Sequence, residues 1–127
     1  MAAEITNPSY FRVGKNLSGT AIPVRRFVKA GATQYEVVLP AASTDVCEGV
    51  VTESLPDQGQ RSIQMDGKAI VECSAAIALH ALVMTDNTGR ALTATTGNMI
   101  RGRAMSATAN AGEFVEVELW KGRFVAP

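Results

Sequence analysis

The chain reads Phe114-Val-Glu-Val-Glu-Leu-Trp120 towards its C-terminus, and this stretch decides the fold. Val115, Val117 and Leu119 alternate with two glutamates and with Trp120. Successive side chains of a β-strand point to opposite faces, so a period of two predicts a strand with one apolar and one polar face. Trp120 falls on the otherwise polar face, and Phe114 shares that parity.

Similar alternation appears elsewhere in the chain. From Ile63 to Cys73 the odd positions are apolar or small and the even ones mostly polar. This pattern predicts a second strand, with a bulge or a tight turn at Asp66-Gly67. Further strands are predicted at Tyr35–Leu39, Arg90–Ala94 and Met99–Met105. The last of these places its two arginines on one side and its apolar or small residues on the other.

Glycine punctuates these segments, often at intervals of 8 to 12 residues, which is typical of short strands joined by turns. Asp86–Gly89 and Thr95–Asn98 carry asparagine and glycine, so both are predicted as hairpin loops. Ser74–Met84 fits either a short helix or a turn followed by a strand. Ala41–Val51 fits either a helical turn or a strand. The predicted fold class is therefore mainly β, with at most one short helix.

Composition excludes several classes of protein. The 127 residues include 12 basic and 12 acidic side chains, giving a net charge of zero, and 46% are apolar. A nucleic-acid binder would show a cationic excess, and a disordered chain would be less apolar. The longest apolar-rich run, Ala75–Met84, is interrupted by His80 and is too short to span a membrane. We expect no direct nucleic-acid partner and no membrane partner, and residues 1–10 do not resemble a signal peptide.

The sequence offers little for catalysis or for metal binding. Cys47 and Cys73 are the two cysteines, and His80 is the single histidine. A structural zinc site needs four such ligands, and no nucleophile–base pair or phosphate-binding glycine loop is present. We therefore expect no enzyme, no metal and no cofactor. The cysteines are either two buried free thiols or one disulfide.

Residues 1–18 differ from the rest of the chain, because they are polar and their few apolar residues are irregularly placed. They are predicted to form an extended N-terminal arm in front of a β domain of residues 19–127. The arm is either a frayed tail or a segment that becomes ordered on a partner, with Tyr10 and Phe11 as anchors. The basic pair Arg25-Arg26 follows, and it is predicted to make salt bridges or contacts.

Three stretches carry a family resemblance. They are Gly19-Thr-Ala-Ile-Pro-Val-Arg-Arg-Phe-Val-Lys29, Gly67-Lys-Ala-Ile-Val-Glu-Cys-Ser-Ala-Ala-Ile77 with the turn Asp86–Ala91, and Ile100-Arg-Gly-Arg-Ala104 with Ala109-Asn-Ala-Gly-Glu-Phe-Val-Glu-Val-Glu-Leu119. In this order they resemble the small capsid cement, or decoration, proteins of tailed double-stranded DNA bacteriophages. The chain departs from the family at His80-Ala81, where related sequences often have a glycine.

The resemblance implies a small β-barrel or β-tulip-like domain and a structural role without catalysis. Members of such families commonly form homotrimers on the outer surface of the mature head, where they bridge major capsid protein subunits and stabilise the shell. The protein would be made in the cytoplasm of the host bacterium and would reside in the virion. The expected capsid contacts are Tyr10, Phe11, Arg12, Val13, Arg25 and Arg26.

The aromatic residues near the C-terminus have two interpretations. Phe114, Trp120 and Phe124 are predicted as contacts between copies of the chain, because aromatic residues are favoured in interfaces. Alternatively, Trp120 packs beneath the segment of residues 121–127. The alternative function is a non-catalytic β-sandwich or β-barrel module of a phage tail or another assembly, binding sugar or protein.

Overall fold

The computed structural model describes residues 11–127, except for the side chains of residues 121–123. This part of the chain forms ten strands and no helix, and hence no helix that could cross a membrane. The strands are β1 (Phe11–Lys15), β2 (Arg26–Ala30), β3 (Val37–Val38), β4 (Cys47–Val51), β5 (Gln60–Gln64), β6 (Gly67–Glu72), β7 (Leu82–Thr85), β8 (Ala91–Thr93), β9 (Met99–Ala104) and β10 (Phe114–Val125).

The first sheet is curled. Its strands lie in the order β1-β5-β4-β2-β3, and every neighbouring pair is antiparallel. The two ends of the sheet meet where the Lys15 backbone N–H donates to the Tyr35 carbonyl at 2.7 Å and Lys15 forms a bridge with Glu36. Gly14 leaves room inside the curled sheet, because a Cβ there would collide with the Ile63 side chain of β5 and lie 3.2 Å from that of Val37 on β3.

The second sheet, in the order β6-β10-β9-β7-β8, is antiparallel and curled as well. Its ends meet where Cys73 forms a bridge with Ala91 and the Ser74 N–H donates to the Ala91 carbonyl at 3.0 Å. The long strand β10 pairs with both β6 and β9, and its register shifts between Leu119 and Phe124. Two curled sheets confirm the predicted mainly β, barrel-like fold.

Two clusters of buried side chains hold the sheets together. The cluster of the first sheet consists of large aliphatic side chains: Ile22, Val28, Val37, Val51, Leu55 and Ile63. The other cluster is built mostly from alanine and valine side chains of the second sheet and includes Phe27, Val50 and Cys47 from the first. Burial of each large aliphatic side chain stabilises the fold by about 1.5–3 kcal/mol, so the first sheet has a core of its own.

Backbone hydrogen bonds link the two sheets around Phe27. The Phe27 N–H donates to the Gly89 carbonyl at 2.7 Å, and the Glu72 N–H donates to the Arg25 carbonyl at 2.9 Å. Gly89 lies in the β7–β8 hairpin with φ of 87°, and a Cβ there would lie 2.6 Å from the Phe27 carbonyl oxygen. The hairpin therefore touches β2 directly. We call the contact region formed by Arg26, Phe27, Glu72 and residues 86–90 the inter-sheet seam.

The segment from Ile63 to Cys73 is not one continuous strand, and of the two alternatives at Asp66-Gly67 the tight turn is closer to the structure than the bulge. The chain breaks at Met65-Asp66, and the two halves, β5 and β6, belong to different sheets. Gly67 has φ of 79°, a left-handed conformation that favours glycine. The Gln64 side-chain amide donates to the carbonyls of Asp66 and Lys68, at 2.8 and 3.0 Å, and so holds the break in place.

Both segments for which a helix and a strand were alternatives form a strand. Ser74–Met84 is a turn followed by β7, and Ala41–Val51 is a turn followed by β4. The strand predicted at Tyr35–Leu39 shortens to two residues. The hairpin predicted at Asp86–Gly89 is confirmed, since it joins the paired strands β7 and β8. The hairpin predicted at Thr95–Asn98 is wrong: β8 and β9 flank this turn, but β7 lies between them.

Residues 1–10 of the predicted arm lie outside the described residues. Phe11–Lys15 form β1, the edge strand of the first sheet. Asn16 is fully buried, and its side-chain amide donates to the carbonyls of Thr20 and Leu55, at 2.8 and 3.0 Å. Phe11–Lys15 are therefore part of the first sheet, and Asn16 is anchored to the chain that follows it.

Candidate functional site

The residue types that serve catalysis and metal binding do not converge. Among residues 11–127, no group of three or more histidine, cysteine and acidic side chains could hold a metal ion. His80 is exposed in a turn. Cys47 and Cys73 are free and buried. Burial raises the pKa of the Cys47 thiol to about 12, against the smaller opposing effect of Arg101, so this thiol is not a nucleophile at neutral pH.

Strand β1 presents an apolar edge. Phe11 and Val13 point to the same side and are 45% and 44% exposed, respectively. Between them, the Arg12 guanidinium contacts the Glu48 carboxylate at 2.8 Å, which fixes it to β4. Tyr10, another predicted capsid contact, lies outside the described residues. The structure therefore presents Phe11 and Val13 as apolar surface and ties Arg12 to its own sheet.

The predicted basic contact Arg25-Arg26 lies at the inter-sheet seam. The Arg26 guanidinium donates to the Thr88 carbonyl at 3.0 Å and contacts the Glu72 carboxylate at 3.4 Å. Glu72 also contacts Arg90 at 3.7 Å. Arg25 has φ of 63°, and its N–H donates to the Val51 carbonyl at 2.8 Å. Arg26 thus serves internal contacts in the structure, as the salt-bridge interpretation of this pair expects.

The carboxylate of Asp86 completes the seam. It accepts hydrogen bonds from the Thr88 N–H and hydroxyl, both at 2.8 Å, and from the Arg90 N–H at 2.9 Å. Burial acts to raise the pKa of Asp86, but these hydrogen bonds together outweigh it and hold the pKa below the ordinary 3.8. The ionised carboxylate therefore organises the hairpin that contacts β2.

The three predicted oligomer contacts lie on β10. Phe114 and Phe124 are 52% and 44% exposed, and Trp120 is half-buried. The rings of Trp120 and Phe124 pack edge to face, with centroids 5.3 Å apart and an angle of 74°. This contact fits the interpretation in which Trp120 packs against the C-terminal segment. Phe114 is not part of that pair.

Sequence analysis assigned Arg101 to the polar side of its strand, but the side chain is buried. Its guanidinium donates to the Cys47 carbonyl at 3.0 Å, so β9 reaches across to β4. Burial lowers the pKa of Arg101. The alternation predicted the strand correctly, but it could not reveal that a second sheet covers this face.

Two loops that the sequence patterns did not single out carry few charges. Residues 74–81 and 105–112 contain no acidic residue, lysine or arginine, and the Glu113 carboxylate lies beside the second loop, where it accepts from the Ala109 N–H at 2.8 Å. Reciprocal backbone hydrogen bonds between Ile77 and Thr108, at 3.2 and 2.9 Å, join the two loops. Most of their side chains are small and exposed, and Leu79 is 54% exposed. We call these two loops the uncharged end; their alanine-rich sequences were the available signal.

Comparisons with known proteins agree with this geometry. No curated protein matches the chain. Among solved structures, the chain is similar to the one titled "The crystal structure of head fiber gp8.5 N base in bacteriophage phi29", with a TM-score of 0.70 and 12% sequence identity. The similarity covers 92% of this chain and 98% of that one, and it concerns the fold.

The family described as "Phage cement protein" matches residues 12–119. This range begins in β1 and extends into β10, so it includes both sheets. Because the match covers most of the chain, the protein belongs to the phage cement protein family and is a structural protein of the phage head.

Proposed function

We propose that this protein binds the outer surface of the mature phage head as a homotrimer, bridges major capsid protein subunits and stabilises the shell. The observation that carries the proposal is the family match over residues 12–119. In this proposal the protein is a component of the virion and has no catalytic activity. The scattered acids, the exposed His80 and the buried thiols support this view, because none of them forms a nucleophile–base pair.

The proposed contact with the capsid is the edge of β1. Apart from Lys15, whose N–H already donates to the Tyr35 carbonyl, this edge strand presents backbone N–H and C=O groups that can pair with a strand of another chain. Phe11 and Val13 add exposed apolar area on one side of this edge. A capsid strand laid along β1 would gain main-chain hydrogen bonds and cover both side chains.

Repetition lets a modest contact reinforce a shell. Each copy of a trimer engages the lattice while its neighbours are already bound, so the effective concentration of every further contact is high. The net charge of zero limits repulsion between closely spaced copies. Light scattering should give a mass three times the 13.4 kDa of one chain, and a monomer at high concentration would contradict the trimer.

The proposal is tested with undecorated heads of the phage that carries this gene. Purified protein is mixed with the heads, and co-sedimentation measures the bound fraction. We expect saturable binding and a higher temperature of head disruption. Heads that neither bind the protein nor become more stable would reject the proposed function.

Two variants locate the contact. Phe11→Glu should weaken binding at least tenfold, because it places a charge in an apolar interface. Leu79→Glu is the matched control, since Leu79 is similarly exposed but lies at the uncharged end. Loss of binding in Leu79→Glu with full binding in Phe11→Glu would move the contact from β1 to the uncharged end.

A further inference from the structure

An open hollow of about 590 Å³ lies beside the register shift of β10. It is lined by Gly67, Glu118, Leu119, Trp120 and Phe124. Gly67 contributes no side chain to this lining. The proposed capsid contact at β1 does not use any of these residues.

The aromatic pair makes this surface unusual. Trp120 is the only tryptophan of the chain, and Phe124 is 44% exposed although its ring packs against Trp120. The edge-to-face contact holds both rings in a fixed relative orientation. An open surface that combines aromatic rings with a few polar groups can hold one face of a small molecule.

The charges around the hollow restrict its occupant. Glu118 is exposed, and within the described part of the chain no hydrogen bond or ion pair occupies its carboxylate. Lys68 on β6 and Arg103 on β9 lie directly opposite Glu118 in the two ladders. A purely apolar segment would desolvate these charges, and a strongly charged peptide would meet like charges on at least one side.

We propose that this hollow binds a saccharide. A sugar ring has an apolar C–H face that can cover an aromatic side chain, and its hydroxyl groups both donate and accept hydrogen bonds. Glu118 would accept from hydroxyl groups, while Lys68 and Arg103 would donate to them. A neutral sugar can therefore hydrogen-bond to the acidic and to the basic side chains near the hollow without repelling either.

This inference goes beyond the proposed role in the capsid. Single sites of this open kind bind weakly, but many copies on one particle would act together on a polymeric sugar. The competing occupant of the hollow is a second copy of the chain, because Trp120 and Phe124 are also the predicted contacts between copies. The experiment has to distinguish these two occupants.

Tryptophan fluorescence reports on the hollow directly, because Trp120 is the only source of the signal. We would titrate the full chain with maltotriose, cellotriose and triacetylchitotriose, and use sorbitol as the non-cyclic control. At least one trisaccharide should give a saturable change in emission with millimolar affinity, whereas sorbitol should not. Phe124→Ala should weaken that binding about tenfold, and Glu118→Gln by a smaller factor.

Phe114→Ala is the matched control, because Phe114 is exposed on the same strand but does not line the hollow. It should bind the trisaccharide as the unaltered protein does, and circular dichroism should show that all variants are folded. No saturable response to any of the three sugars overturns the proposal, as does equal binding by folded Phe124→Ala. Emission that changes on dilution, with no response to sugar, assigns the hollow to a second copy. None of these readouts uses heads, so a failure here is distinct from a failure of the proposed function.

Discussion

The inter-sheet seam and the uncharged end differ in their charged side chains: the seam concentrates them, and the two loops of the uncharged end contain none. At the seam, contacts of 3.4–3.7 Å join Arg26, Glu72, Arg90 and Asp86 in one network. At the uncharged end, two loops held together by backbone hydrogen bonds expose alanine and other uncharged side chains. A chain with zero net charge thus uses a set of its ionised groups to join its own sheets. It leaves another surface whose two loops have no acidic residue, lysine or arginine of their own, with the Glu113 carboxylate at its border.

The internal contacts of the seam change the interpretation of the basic pair Arg25-Arg26. Paired arginines in a sequence suggest a surface that attracts a partner. In this fold, Arg26 is instead held by Glu72 and by the Thr88 carbonyl within the same molecule. A capsid contact that used Arg26 would have to compete with these internal partners.

The largest effect is expected when the seam is broken through its backbone. Gly89→Ala places a Cβ 2.6 Å from the Phe27 carbonyl oxygen at a φ of 87°. We expect a loss of about 3 kcal/mol in the free energy of unfolding, measured by urea denaturation. Gly97→Ala is the control, since φ is 88° but no atom lies within 4 Å of the added Cβ. If both variants lose the same free energy of unfolding, the loss comes from backbone strain at positive φ alone, and the close contact with Phe27 contributes nothing.

The next effect comes from the charge at the centre of the seam. Asp86→Asn should cost about 2 kcal/mol at pH 7, because hydrogen bonds to an ionised acceptor are lost. The pKa of Asp86 is lowered in the folded state, so its contribution is present above the ordinary value of 3.8 and is lost as pH falls through the folded value. Denaturation at a series of pH values should show the gap between the two proteins closing under acid. A gap that stays constant down to pH 2 would contradict this role of Asp86.

A smaller effect is expected from the salt bridge itself. Arg26→Met keeps much of the side-chain bulk but removes the contacts with Glu72 and Thr88, and it should destabilise the protein by about 1 kcal/mol. Arg103→Met is the control, because Arg103 is exposed on β9. Thermal denaturation compares the two. An unchanged melting temperature in Arg26→Met would mean that the seam depends on its backbone bonds alone.

The smallest effect is expected at the uncharged end. His80 has φ of 71°, the left-handed conformation that favours glycine. His80→Gly should raise stability by about 0.5 kcal/mol, seen as a higher melting temperature. Ala78→Gly, at a position without positive φ, should lower it. Destabilisation by His80→Gly would indicate that the imidazole makes a contact of its own.

Local patterns in the sequence predicted what depends on local structure. The alternation of Val115, Val117 and Leu119 predicted the strand that became β10, because side chains of a strand point alternately to its two faces. Asparagine and glycine predicted the hairpin Asp86–Gly89 for an equally local reason. The family resemblance then added the arrangement of these strands in a barrel-like body.

Contacts between distant residues could not be predicted. The parity of apolar residues continues across Met65-Asp66, so nothing in the pattern showed that β5 and β6 enter different sheets. Arg26 and its partner Glu72 are 46 residues apart, and Arg101 contacts Cys47 across 54 residues. Such partners depend on how the sheets pack. The sequence could therefore predict which kinds of residue form the candidate surfaces, but it could not predict where those residues lie relative to one another.

The most direct test of the central claim is an electron-microscopic reconstruction of expanded heads incubated with the unaltered protein. We predict added density on the outer surface of the shell, spanning neighbouring capsid subunits, with the edge of β1 turned towards them. Heads that show no added density at saturating protein concentration, or protein bound only at the tail vertex, would contradict the account.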